Sequence, residues 1–370
     1  MPQFPAVDPI PLPAPIWLFK VLHNLTFALH LASVEILLGG LLLGLAFAVV
    51  GRIRHSPDFQ QASGILVHRL PTVMAFVINL GIPPLLFAQV LYGRALYTSS
   101  VLIGTYWISV IFLLMASYYG LYIAAKRADA RQAWTAPGLA ALLLVLTIAF
   151  IYSNNMTLMI RPQAWASMYH ASPSGLQLNT SDPTLLPRWL FFITGSLPAA
   201  GAAMILLSLR SGLGGQMGRF LSSSGGGAMA GGALLQAAFG YLGFSAQPQS
   251  VTASVMTEPL YRSSVYGWLA TAVVLVLLGL IASTTRVPNR ILAVGGALAA
   301  FVNIASTVMV RDGIRDVTLR AAGFEVWDRH VVTNWSVVGL FLVLFVAGLG
   351  VIAYLISIIA KARRIEEKYA

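Results

Sequence analysis

Residues 25–50 read LTFALHLASVEILLGGLLLGLAFAVV, an apolar run whose only ionisable side chains are His30 and Glu35. A run of about 20 apolar residues is what a helix needs to cross the hydrocarbon core of a bilayer. Eight further runs of this kind follow, at 71–92, 101–125, 136–157, 189–209, 226–246, 265–285, 290–310 and 334–360. Lipid offers no partner to backbone N–H and C=O groups, so each run must be a helix. The expected fold is therefore all-α, a polytopic membrane helix bundle of about nine transmembrane helices.

Composition agrees. The chain has 370 residues, is 58% hydrophobic and only 9% charged, with a mean hydropathy of +0.79. Soluble domains carry about 25% charged residues. Nine spans use up the length, and no internal repeat is visible. The net charge of +11 does not point to nucleic acid, because the basic residues are spread over many loops. They fall mainly in every second gap. The gaps after spans 1, 3, 5 and 7, together with the C-terminal tail, hold 14 Lys and Arg, against eight on the opposite side. The positive-inside rule then places the N-terminus outside and the C-terminus in the cytoplasm.

The domain reading follows. Residues 1–24 form an extracytoplasmic arm and an interfacial helix, because a helix from Ile16 to Val50 would overshoot the bilayer. Residues 25–360 form one transmembrane helical domain with outer loops near 158–188 and 311–333, and 361–370 is a cytoplasmic tail. Met1–Pro15 is Pro-rich and lacks a basic segment followed by an apolar one, so no cleavable signal peptide is expected. The glycines of Ser211–Gly232 follow no strand and read as a flexible cytoplasmic loop.

Cysteine is absent, which excludes disulfides, thiolate-ligated iron–sulfur clusters, Cys-ligated zinc and covalently attached c-type haem. Nucleotide-binding glycine motifs and HExxH are absent too. Attention passes to ionisable residues inside spans, which are costly and default to function. His23 and His30 lie seven apart, two turns, on one helix face. Glu35 is one to two turns deeper. Neutral imidazole ligates b-type haem, and imidazole with carboxylate can accept the protons of a quinol. His30 and Glu35 are thus the candidate catalytic pair, with His30 and His23 as candidate metal or haem ligands. His30 and Glu35 have a structural reading as well, as hydrogen-bonding partners of neighbouring helices, and His23 as a residue that sits at the membrane interface. Arg311 and Arg315, in Arg311-Asp312-Gly313-Ile314-Arg315-Asp316, are candidates for holding a propionate or a quinone carbonyl. A solvated or self-paired charged loop explains the same pattern. Asn79, Asn154, Asn155 and Asn303 read as interhelical hydrogen-bonding amides. Pro83-Pro84 interrupts the second span.

Several segments resemble subunit I of the cytochrome bd quinol oxidases. Leu25-Thr26-Phe27-Ala28-Leu29 with Leu43-Gly44-Leu45-Ala46-Phe47 is similar to the family's first helix. Ile78-Asn79-Leu80-Gly81-Ile82 resembles its second-helix asparagine segment, and Asn154-Asn155-Met156 its Asn-rich end of span 4. The resemblance implies nine spans, haem and quinol. The chain departs from it at the ligands. The family's first-helix haem histidine would fall near Val34 or Glu35, and its fifth-helix one near Phe191 or Phe192. Its Gly-Arg-Gln-Pro-Trp motif is missing, and its long quinol-handling loop is reduced to Gln247–Tyr266. Oxygen reduction is therefore not expected. The reading is a subunit of a bacterial inner-membrane respiratory complex, exchanging electrons between quinone and extracytoplasmic cytochrome or iron–sulfur subunits. The alternatives are a redox-inactive anchor and, less well supported, a secondary transporter.

Overall fold

The computed structural model describes residues 4–5, 11–210, 212–285 and 287–369, without the side chains of 356 and 359–369. Most of the arm (1–3 and 6–10), Ser211, Arg286 and the side chains of the 361–370 tail thus lie outside the described residues. The helices, in order, are α1 (Ile16–Ile53), α2 (Pro57–Val67), α3 (Leu70–Leu102), α4 (Gly104–Asp129), α5 (Thr135–Met159), α6 (Trp165–Ala171), α7 (Leu185–Leu207), α8 (Gly215–Ser245), α9 (Gln249–Thr257), α10 (Pro259–Thr284), α11 (Arg290–Ala321) and α12 (Trp335–Tyr369). Among the described residues there is no strand. Leu12 and Val331 form one isolated bridge, which ties the arm to the segment before α12.

Eight helices, with α2 and α3 taken together, are long and apolar enough to cross a membrane. The ninth expected span lies in α8, which has 31 residues but is diluted by Gly and Ser. The reading of Ser211–Gly232 as a loop is corrected here, because α8 begins at Gly215. Several of its glycines are contact points. A methyl on Gly225 would sit 2.8 Å from the Gly201 carbonyl oxygen of α7, and one on Gly226 2.5 Å from that of Gly279 in α10. Backbones that close give dispersion contacts over a long interface, which is how helices associate in lipid. Gly39 of α1 meets Ser196 and Ala200 of α7 in the same way, as the small residues of spans 1 and 5 suggest.

Two further boundaries differ from the sequence reading. α1 is continuous from Ile16, so Ile16–Leu25 is no separate interfacial helix; Lys20 and His23 find buried polar partners that hold the first turns upright. α11 runs on to Ala321, so the charged stretch Arg311–Asp316 is helix and not loop. Asn289 caps its start, accepting from the N–H groups of Ile291 and Leu292 at 2.8 and 3.2 Å. α3 stays helical through Pro83 and Pro84 and kinks instead at Tyr92 (φ −125°, ψ 17°). Asn303 donates to Thr271 Oγ1 at 3.0 Å and Asn155 to Ser100 at 3.0 Å, while Asn79 bonds only within its own helix. α12 packs least, with 6% of its membrane-length stretch buried against 56% for α1 and for α7.

Candidate functional site

At the end of the bundle where the arm docks, α1, α3, α10 and α11 converge on a buried ionic cluster. Asp312, Arg315 and Asp316 are spaced three and four apart on α11, so they share one face. Lys20 Nζ lies 2.6 Å from a carboxylate oxygen of each aspartate and donates to the Tyr92 hydroxyl at 2.8 Å. The Tyr92 hydroxyl donates onward to Asp316 at 2.8 Å, and that of Tyr261 donates to Asp316 at 3.1 Å. Arg315 pairs with Asp312 and stacks 3.8 Å over the Tyr92 ring. The kink at Tyr92 thus falls where α3 delivers its hydroxyl to two carboxylates.

His23 belongs to this cluster. Its Nδ1 is 3.1 Å from the Pro84 carbonyl, which can only accept, so Nδ1 carries the proton. Its Nε2 then accepts from Arg315 at 3.2 Å. Neither nitrogen is left for a metal, which overturns the ligand reading of His23. His30 makes the same kind of bond, Nδ1–H to the Val77 carbonyl at 3.1 Å, and its ring edge fills the space beside Gly81. Its Nε2 keeps a lone pair.

Glu35 is elsewhere. Five residues separate it from His30, which is about 140° around a helix. It faces α7 and α8, beside Gly195 and Gln236. It is 2% exposed, and both its Oε1 and the Oε1 of Gln236 lack a hydrogen-bond partner. The structure therefore does not join His30 and Glu35 in one site.

What it does assemble is a cavity of about 270 Å³ among α5, α7, α8, α10 and α11. Its walls are apolar, built around Met159, Phe191, Phe192, Phe244, Trp268 and Leu269. Gly240 makes room for the Trp268 ring, since a methyl there would lie 2.7 Å from it. Arg188, Arg311 and Arg315 line the cavity as well, with Gln247 and Thr307. Four lining groups carry a polar atom with no protein partner: Gln247 Oε1, Trp268 Nε1, Thr307 Oγ1 and Arg315 Nε. Buried polar atoms are normally paired, so four orphans on one cavity wall point to a ligand or ordered water. Sequence reasoning found Arg311 and Arg315 from the alternating charges of Arg311–Asp316, read there as a loop. It missed Arg188, Gln247, Trp268 and Thr307, which are single residues on four separate segments.

The expectation of haem can be tested on these residues. No histidine lines the cavity, and Phe191 and Phe192 stand where the resemblance places a haem histidine. Met156 and Met159 bring thioethers, but no imidazole opposes them. His23 is fully bonded, and His30 lines neither this cavity nor the polar one around Asp58 and Gln216. Among the described residues no group of three or more His, Asp or Glu converges on a metal position. The side chains lining this cavity do not fit a haem.

No family model matches the chain, and no curated protein matches it. Among solved structures it is similar to the bd oxidase from Geobacillus thermodenitrificans, with a TM-score of 0.70 at 11% identity, over 96% of this chain and 100% of that one. The chain is a multi-pass membrane-helical protein with a bd oxidase-like fold.

Proposed function

We propose that the chain is an integral subunit of a bacterial respiratory complex in the inner membrane, exchanging electrons between the quinone pool and redox subunits on the outer side. The observation that carries this reading is the apolar cavity with four unpartnered polar atoms. A quinone ring with an isoprenoid tail has the matching chemistry. The Trp268 and Arg315 N–H groups would donate to its carbonyl oxygens. Gln247 Oε1 would accept from a quinol hydroxyl, and Thr307 can serve either form. Arg311, held 4.5 Å over the Phe27 ring, adds positive charge near the head.

Oxidation of a quinol releases two protons and two electrons. Glu35 is the proposed acceptor of one proton, because Gly195 and Gln236 lie one helical turn from the cavity residues Phe191 and Gly240, and the other would leave to water at the cavity opening. The electrons would pass to a cytochrome or iron–sulfur partner, since this chain offers no fitted haem site. His30 has no part in this cavity.

The test is quinone binding to the purified chain in nanodiscs, followed by quenching of tryptophan fluorescence. Trp268→Phe and Thr307→Val each remove one hydrogen bond and should weaken binding about threefold to tenfold. Saturable binding that neither change affects would refute the site. The second reading, a redox-inactive anchor, is favoured by the fully bonded His23 and by phenylalanines at positions 191 and 192. It predicts a colourless chain that binds no quinone.

A further inference from the structure

Arg188 and Arg311 make no ion pair or side-chain hydrogen bond among the described residues, apart from the stacking of Arg311 on Phe27. Both line the cavity, and with Arg315 they are close enough to repel one another. The carboxylates of Asp312 and Asp316 are already taken by Lys20, Arg315, Tyr92 and Tyr261. Asp182 is taken by Arg161 at 2.9 Å. Asp182 and Asp312 attract them only from a distance, so two guanidinium groups face one opening with no carboxylate in direct contact. Uncompensated charge at the edge of an apolar space is unfavourable, and a neutral quinone would not cancel it.

The surroundings narrow the class of anion. Arg188 and Arg311 are half-buried, while Arg315 is 4% exposed, so the first two lie toward the opening and the third toward the interior. The lining also includes Tyr241 and Leu269, which are 73% and 46% exposed on the apolar flank of α8 and α10. The opening therefore borders an exposed apolar flank as well as the two guanidinium groups. Arginine forks suit phosphate oxygens, and basic pockets between membrane helices take anionic lipid headgroups.

We propose that the phosphate of an anionic phospholipid seats on Arg188 and Arg311, with its acyl chains laid along the Tyr241–Leu269 flank. The lipid would close the side of the cavity and cancel charge that the fold leaves open. The site shares Arg311 with the quinone reading but uses none of the four unpartnered polar atoms, so it does not depend on that assignment.

The experiment uses the full chain, purified in detergent and exchanged into an equal mixture of phosphatidylglycerol and phosphatidylcholine with identical acyl chains. Native mass spectrometry counts the lipids retained. The wild-type chain should hold phosphatidylglycerol in preference, on the order of tenfold. Arg188→Gln/Arg311→Gln should lose the preference, and Trp268→Phe should keep it. Equal retention of the two lipids by the wild-type chain overturns the proposal whatever the variants do. Displacement of the lipid by millimolar inorganic phosphate would also overturn it, because the site would then hold a free ion and not an amphiphile. Quinone retention, read from the same spectra, should not follow Arg188→Gln alone.

Discussion

Arg315 serves three neighbours at once: it pairs with Asp312, donates to His23 Nε2 and covers the face of Tyr92. Replacing it by Met would leave Asp312 sharing Lys20 with Asp316 and His23 without its donor. Breaking one side of a buried ion pair typically costs about 3–5 kcal/mol. Arg315→Met is therefore expected to lower the melting temperature sharply in detergent, and an unchanged melting curve would contradict the cluster described above. Lys20, which serves both aspartates, should behave alike when changed to Met. Glu35 is the contrasting case. Its Oε1 has no hydrogen-bond partner to lose among the described residues, so Glu35→Gln should leave thermal stability within about 1 kcal/mol, while quinol-dependent electron transfer in the assembled complex falls. Residue chemistry was partly legible in advance. The sequence placed His30 and Glu35 inside a span and His23 near its outer end, but read Arg311–Asp316 as a loop. It could not show that His23 spends both nitrogens on structure, because the Pro84 carbonyl and Arg315 come from helices 61 and 292 residues away.

Among the elements, α8 was the least legible. Its glycines lower its hydropathy and imitate a loop, yet Gly225, Gly226 and Gly232 are points at which α7 or α10 touches it. Two neighbouring glycines separate packing from propensity. A methyl at Gly226 meets the backbone of Gly279 at 2.5 Å, whereas one at Gly227 meets nothing within 4 Å. Gly226→Ala should destabilise by about 1–3 kcal/mol through overpacking. Gly227→Ala should be neutral or gain up to about 1 kcal/mol, since alanine loses less conformational freedom in a helix. Thermal unfolding of the two variants side by side checks both signs. The extension of α11 to Ala321 has a similar origin. Its last turns are too polar to read as membrane helix, and only the partners from α1, α3 and α10 make their burial tolerable.

On the scale of the whole molecule, the apolar runs and their spacing were enough to foresee a polytopic bundle. The site was not foreseeable as a unit, because five helices separated by long stretches of sequence each add one or two ordinary residues to it. The misfit to haem gives a global expectation: reduced-minus-oxidised spectra of the purified chain should lack b-type bands. Bands that vanish in His30→Ala would overturn the fit argument and restore His30 as a ligand. The long reach of the ionic cluster has a further consequence for biogenesis. Lys20 and Asp316 are 296 residues apart, so at about 5–20 residues per second the ribosome needs roughly 15–60 s to make the second after the first. Throughout that interval the nascent first helix carries an ammonium with no carboxylate to meet it. It must wait with that group stretched toward water, and it can settle to its final depth only when the eleventh helix leaves the translocon.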